Sequence, residues 1–215
     1  MATRVYLIRH AETEVTVEDR FAGSADRSLN PEGREHADEL GTRLAGFKID
    51  LFYSSPLKRA METAQAVAGP HGHEVTPVDA LREISHGHWE GLTRAEVEQK
   101  YPDEYAAYER DPLDFAPAGG EPAGQVVKRA VPAVLEIVRA HPEGQIAIVS
   151  HKAVNRLLIG YFLGIDLKRY RDKIAQRPAC LNVLDFSADS QAKLFLLNDI
   201  SHYEICAPPD SPFVV

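Results

Sequence analysis

The sequence predicts an α/β fold, a three-layer α/β/α sandwich around a mostly parallel sheet with an antiparallel C-terminal strand. Strand-like and helix-like stretches alternate along the chain, as they do where helices cover a parallel or mixed sheet. Two apolar runs, Val5-Tyr6-Leu7-Ile8 and Ile146-Ala147-Ile148-Val149, read as short buried strands. Each leads into a histidine, Arg9-His10 after the first and Ser150-His151 after the second. The carboxyl ends of strands in an open α/β sheet are where ligands bind.

The elements follow in order. After the first strand, residues 14–29 are polar and are predicted as a loop. Asn30-Pro31 then opens a helix to about Gly46, with Asn30 as N-cap and Pro31 at the first helical position. Residues 50–54 make a short strand. Ser55-Pro56 repeats the cap-plus-proline start and opens a helix to about Ala68. Residues 74–78 read as a further short strand. From 85 to 124 the composition changes, and Trp89, Tyr101, Tyr105, Tyr108 and Phe115 gather among acids and prolines. This stretch reads as one or two short helices between 93 and 110, followed by a loop made flexible by Gly119-Gly120. Such an insertion serves equally as a cap over a site or as a peripheral apolar cluster.

A long amphipathic helix over 122–140 has Pro132 inside it, a position for a kink. A strand over 145–150, a helix over 153–163 stopped by Gly164, and an antiparallel strand pair at 181–186 and 193–198 complete the pattern. We expect one domain over residues 1–206, with a cap-like insertion at about 85–124 and a loose Pro-rich tail over 207–215.

The charge balance, 24 Lys and Arg against 32 Asp and Glu, argues against a nucleic-acid or anionic-membrane surface. Any phosphate site must therefore be a local positive pocket in a negative surface. Cys180 and Cys206 stand in no metal-ligand spacing and make no disulfide framework, which fits a reducing compartment. No run of about 18 apolar residues is present to span a bilayer, and no charged-then-apolar signal segment precedes the first strand. A cytoplasmic location is expected. Nothing in the residues fixes the oligomeric state, and a homodimer fits as well as a monomer.

An Arg beside a His at a strand end suits phosphate chemistry, because the guanidinium fork matches phosphate oxygens and the imidazole can attack phosphorus. Taken alone, the pair fits a solvated strand end at least as well. Two further stretches join it. Ser54-Ser55-Pro56-Leu57-Lys58-Arg59-Ala60 follows another strand end and places Arg59 about one turn into a helix, whose free N–H groups suit an anion. Leu81-Arg82-Glu83-Ile84, with Gly87-His88-Trp89-Glu90-Gly91, puts a carboxylate in a loop rich in aromatics and glycine.

Together with Arg9-His10-Ala11-Glu12-Thr13 and Ser150-His151, and in this order, these stretches resemble the four motifs of the histidine phosphatase superfamily. That superfamily includes the cofactor-dependent phosphoglycerate mutases, and the resemblance runs from Arg4 to about Tyr203. It implies a phosphoglycerate mutase-like fold and a metal-independent phosphomonoester hydrolase with no cofactor. It also implies that His10 is the nucleophile forming a phosphohistidine, that Arg9, Arg59 and His151 bind the phosphoryl group, and that Glu83 is the proton donor. The partner implied is a small-molecule phosphomonoester, not nucleic acid or a membrane.

Physical chemistry supports these roles. A transferring phosphoryl group spreads charge over three oxygens, and two guanidiniums with an imidazole N–H stabilise that charge without a metal. His10 must attack as the neutral imidazole, so Arg9 and Arg59 beside it should lower its pKa from ~6.5. A hydrogen bond to the other ring nitrogen would fix the tautomer.

The chain departs from the family pattern in three places. Ala11 and Lys152 stand where Gly is common, and Thr16 where many members have Asn. Thr16 can still donate one hydroxyl to phosphate. Lys152 is either a solvated helix-start residue or a cation for substrates with a second negative group. Ala22-Gly23 matches a stretch whose backbone N–H groups meet the ligand. The run from Glu83 to Gly91 with a short cap resembles the small-molecule phosphatase branch. A phosphoglycerate-type mutase and a phosphoprotein-directed phosphatase or binding module are the alternatives. His86 and His88, joined by His10 or His151, would make a zinc-like set, but no Cys or carboxylate spacing supports it.

Overall fold

The structure, a computed structural model, describes residues 2–18 and 20–204; the tail over 207–215 lies outside them. The first apolar run forms β1 (Thr3–Arg9). A short helix, α1 (Glu14–Val17), stands where a loop is predicted, because Thr13 and Thr16 close a capping box around its first turn. The next helix, α2 (Pro31–Leu44), starts as its cap predicts, with Asn30 Oδ1 accepting the Gly33 N–H at 2.7 Å.

After β2 (Leu51–Ser54) comes α3 (Lys58–Ala68), whose start differs from expectation. Its N-cap is Leu57, and Arg59 is the second helical residue, not a full turn in. Ser55 does not cap it because the Ser55 hydroxyl is turned to His151 at 2.7 Å. Asp26 Oδ1 accepts the Lys58 N–H at 2.7 Å, and the Arg27 carbonyl accepts that of Arg59 at 3.1 Å. The N–H groups expected to meet an anion are therefore spent on the neighbouring loop.

The chain continues through β3 (Val75–Pro77), α4 (Arg94–Lys100), α5 (Pro102–Arg110) and α6 (Ala123–Ala140), which runs unbroken through Pro132. Then come β4 (Gln145–Ser150), α7 (Lys152–Phe162), α8 (Tyr170–Lys173), β5 (Leu181–Phe186) and β6 (Ala192–Asp199). At four residues, α8 is too short to show a periodicity in sequence.

Strand order is β3-β2-β4-β1-β5-β6. β3, β2, β4 and β1 are parallel, and β5 runs antiparallel to both β1 and β6. The reversed strand is thus the penultimate one, and β6 again points with the parallel set. Alternation along β1 and β4 builds two cores. Val5, Leu7, Ile146 and Ile148 pack with Val134 of α6 and Leu157 of α7. Tyr6, Ile8, Ala147 and Val149 pack with Leu40 of α2 and Val67 of α3. Each fully buried aliphatic side chain contributes about 1.5–3 kcal/mol, so a slip of one residue, which would exchange the two faces, is strongly disfavoured. That register places Arg9 opposite Ser150 and Ser54 opposite Val149, which brings three strand ends together.

The segment over 85–124 closes on itself. His86 pairs with Gly120, and the Glu121 N–H donates to the Ser85 carbonyl at 2.8 Å. Gly87 has φ +52°, and a Cβ there would lie 2.2 Å from the Ala118 carbonyl. The Gly119-Gly120 loop, expected to be flexible, is held against the start of the segment by these contacts. Trp89, Val97 and Tyr108 form a buried cluster with Phe21, and the Trp89 indole N–H donates to Glu104 at 3.1 Å. No helix among the described residues is long and apolar enough to cross a membrane.

Candidate active site

Because β1 and β4 are neighbours, the residues that follow them meet: the His10 and His151 rings have centroids 5.1 Å apart. His10 Nδ1 lies 2.7 Å from the Ala11 carbonyl oxygen. A carbonyl only accepts, so Nδ1 carries the proton and Nε2 keeps its lone pair. Burial first, then Arg59 and Arg9, push the His10 pKa well below 6.5. His10 is therefore neutral at pH 7. Ala11 has no positive φ, so its methyl group costs the backbone nothing where Gly is common.

His151 is fully buried, with Nε2 2.7 Å from Ser55 Oγ. Ser55 Oγ already accepts the Leu57 N–H, and we assign its own proton to His151 Nε2. Nδ1 of His151 then carries a proton, and it is buried with no hydrogen-bond partner. Two further donors share that condition. Arg9 gives Nη1 to the Gln176 carbonyl at 2.7 Å, and Arg59 gives Nη1 and Nη2 to the Ala25 and Gly23 carbonyls at 2.6 and 2.9 Å. The Nε atoms of both are buried and unpartnered. Neither guanidinium makes an ion pair among the described residues, although both are at most 6% exposed. Buried charge without an ion-pair partner is costly, and an anion bound among these groups would relieve that cost.

Glu83 is 9% exposed. Its Oε1 accepts the Ile84 N–H at 3.0 Å and its Oε2 the Ala153 N–H, in the first turn of α7, at 3.3 Å. Arg129 of α6 holds the loop that carries it. The Arg129 Nη1 donates to the Ala80 carbonyl at 2.6 Å and Nη2 to that of Glu83 at 3.4 Å, while Nε and Nη2 grip the Glu121 carboxylate at 2.8 Å each.

A cavity of about 330 Å³ opens over these groups. Arg9, His10 and Glu83 line it, whereas Arg59 and His151 lie beneath its surface. Among the described residues no three His, Cys, Asp or Glu side chains cluster as a metal site. His88 Nε2 instead stands 3.1 Å from Glu104, and burial pushes His86 down to about 4.

The family model for the histidine phosphatase superfamily (branch 1) matches residues 5–199. The chain belongs to that superfamily. It is 33% identical over 167 residues to phosphoserine phosphatase 1 of Hydrogenobacter thermophilus, covering 78% of this chain and 79% of that protein. It is 32% identical over 174 residues to glucosyl-3-phosphoglycerate phosphatase of Mycolicibacterium vanbaalenii, covering 78% and 77%. Among solved structures, Bacillus stearothermophilus YhfR superposes with a TM-score of 0.88 at 32% identity, over 94% of this chain and all of that one.

In this histidine phosphatase the other expected binding residues all reach the cavity wall, with different consequences. Thr16 lines it, but its hydroxyl donates to the Thr13 carbonyl at 2.6 Å. In this geometry its proton goes to the turn that starts α1. Ala22 and Gly23 also line the wall. Gly23 has φ +52°, and a Cβ there would sit 2.0 Å from Glu90 Oε1, the atom that also accepts the His86 N–H at 3.1 Å. Glu90 thus staples the 22–24 loop to the 85–124 segment. Lys152 is on the wall at the start of α7.

The sequence reading missed Ser55 as the partner of His151, Arg129 as the holder of the Glu83 loop, and His86, Arg94, Arg156 and Arg171 as lining groups. Only Arg156 had a local signal: it follows Lys152 by four residues, so the two share one helix face.

Proposed function

We propose that this chain hydrolyses phosphomonoesters of small metabolites through a phosphohistidine on His10 Nε2. Family membership and the phosphatases among its relatives make it a phosphatase. The observation that carries the mechanism is the His10 tautomer: Nδ1–H tied to the Ala11 carbonyl, Nε2 bare, and beside it two buried guanidiniums that make no direct ion pair among the described residues. Arg9, Arg59 and the Nδ1–H of His151 hold the phosphoryl oxygens. The Nε2 lone pair forms a bond to phosphorus as the ester P–O bond breaks, and protonated Glu83 gives its proton to the leaving alkoxide. Water then attacks the phosphohistidine and passes a proton to the Glu83 carboxylate. The P–N bond breaks, inorganic phosphate leaves, and His10 and Glu83 return to their starting states.

The substrate is a small molecule that fits the 330 Å³ cavity, not nucleic acid or a membrane surface. The reading places the enzyme in the cytoplasm, where the free buried thiol of Cys180 stays reduced. The test is labelling with a phosphate-labelled monoester, quenched rapidly in alkali, with no added bisphosphate. Wild-type enzyme should release inorganic phosphate and show acid-labile label on His10. His10→Ala should trap none and retain less than about one hundredth of wild-type turnover. Turnover that requires a bisphosphate primer would favour a mutase instead.

A further inference from the structure

The same cavity is lined by further cations that the hydrolytic reaction does not use. Arg94 of α4, Arg156 of α7 and Arg171 of α8 line it, beside Tyr108 and Tyr170. Three elements distant in sequence thus contribute one guanidinium each to the same space. Arg171 lies 3.0 Å and Arg94 3.9 Å from the same Glu109. Arg156 makes no ion pair among the described residues; its Nε donates to the Ile174 carbonyl at 2.6 Å.

The cluster is also built rather than loosely exposed. The Arg171 side chain is 12% exposed, its guanidinium carbon lies 4.0 Å over the Tyr108 ring, and Nη2 donates to the Tyr108 carbonyl at 3.3 Å. Its Nε is buried with no partner. Tyr108 and Tyr170, at 5% and 2% exposure, wall the cluster from solvent and raise the strength of any charge pairing within it. His86 beside it is held neutral, burial being the main cause and Arg94 and Arg171 the next. In a chain with net charge −8, such a concentration of cations at one wall fits an anionic ligand.

We propose that Arg94, Arg156 and Arg171 form a second anion site, so that the preferred substrates are small phosphomonoesters bearing a second anionic group. The proposal rests on the phosphatase reading and names its substrate class: a carboxylate or a second phosphate, on a carbon skeleton short enough for both ends to share this cavity. Guanidiniums bind both groups through the same paired N–H donors. Arg156 and Arg171 supply the buried part of the site and Arg94 its rim.

The experiment compares matched esters that differ only in the second group. One arm sets 3-phosphoglycerate against glycerol 3-phosphate, and the other sets propane-1,3-diol bisphosphate against its monophosphate. Wild-type enzyme should favour the doubly anionic member of at least one pair by about 10- to 100-fold in kcat/KM, the worth of one or two charge-assisted hydrogen bonds. The arm with the larger ratio identifies the anion. Arg156→Met should bring that ratio toward unity by weakening the doubly anionic ester more than its partner. Arg94→Met, at the more exposed position, serves the same purpose if Arg156→Met does not fold. Ratios near one in both arms, with all four esters hydrolysed, would overturn the second site and leave the phosphatase standing. Release of phosphate from none of them, nor from p-nitrophenyl phosphate, would overturn the phosphatase reading itself.

Discussion

An alkoxide is a poor leaving group, and the carboxyl group that protonates it matters in proportion. Glu83 faces the cavity with both oxygens anchored by backbone N–H groups, so its position is set even without ligand. Glu83→Gln keeps the shape and removes the transferable proton. Hydrolysis of alkyl phosphates should fall by about 100- to 10,000-fold, the usual range for a general acid. p-Nitrophenyl phosphate, whose leaving group needs little protonation, should lose much less. Parallel losses on the two substrates, measured as kcat, would show that Glu83 only shapes the pocket. At this scale Arg9, His10 and His151 stood out by residue type at strand ends and Glu83 by its aromatic- and glycine-rich loop, while the roles proposed for them came from the resemblance. What Thr16 does was not legible. A threonine hydroxyl has one proton, and whether it goes to a ligand or to the Thr13 carbonyl depends on a turn geometry that the sequence does not encode by residue type.

Helices and strands were legible where a periodic apolar pattern and a local cap agree, as at α2 with Asn30. They were misread where a side chain answers to something distant. Ser55 lies where a helix cap should be, yet it bonds His151, 96 residues away. Arg129 is the larger case, because nothing around it on α6 marks it out, and it ties Ala80, Glu83 and Glu121 into one unit. It acts as a positioning residue for Glu83. Arg129→Met should free that loop, and a displacement of about 1 Å at a reacting group can cost ~100-fold. The expected signature is a fall in kcat on alkyl phosphates with a much smaller rise in KM, a smaller loss on p-nitrophenyl phosphate, and partial recovery in Arg129→Lys. A purely structural role would lower thermal stability and reduce both substrates alike.

Across the whole molecule, the alternation of strands and helices was enough to foresee three layers, since each amphipathic element needs a covered face. The second cation cluster was not foreseeable, because Arg94, Arg156 and Arg171 meet only after the 85–124 segment folds back over α7 and α8. Assembling a cationic pocket in this way has a consequence for stability. His10 and His151 are held well below pH 6.5, by burial first and then by arginines, His86 is down to about 4, and so, outside the pocket, is His202, by burial and then Arg43. In the unfolded chain each imidazole titrates near ~6.5. Between that value and the folded pKa the unfolded state binds more protons, so the stability these groups provide is complete above ~6.5 and is lost as pH falls. Each can contribute a slope of up to about 1.4 kcal/mol per pH unit, and the four together up to about 5.5. Against a typical total of about 5–15 kcal/mol, that is a large fraction of the stability to lose as pH falls from ~6.5 toward 5. The depressed Asp and Glu residues, such as Asp199 and Glu96, lose their contributions only below their unfolded values near ~4, outside this window. Urea midpoints measured from pH 7 to pH 5 should therefore drop steeply, and His86→Gln should remove about a quarter of the slope. A flat midpoint over that range would mean that these imidazoles take up protons in the folded protein, and a His10 that does so at pH 6 would not be the bare nucleophile that the geometry requires.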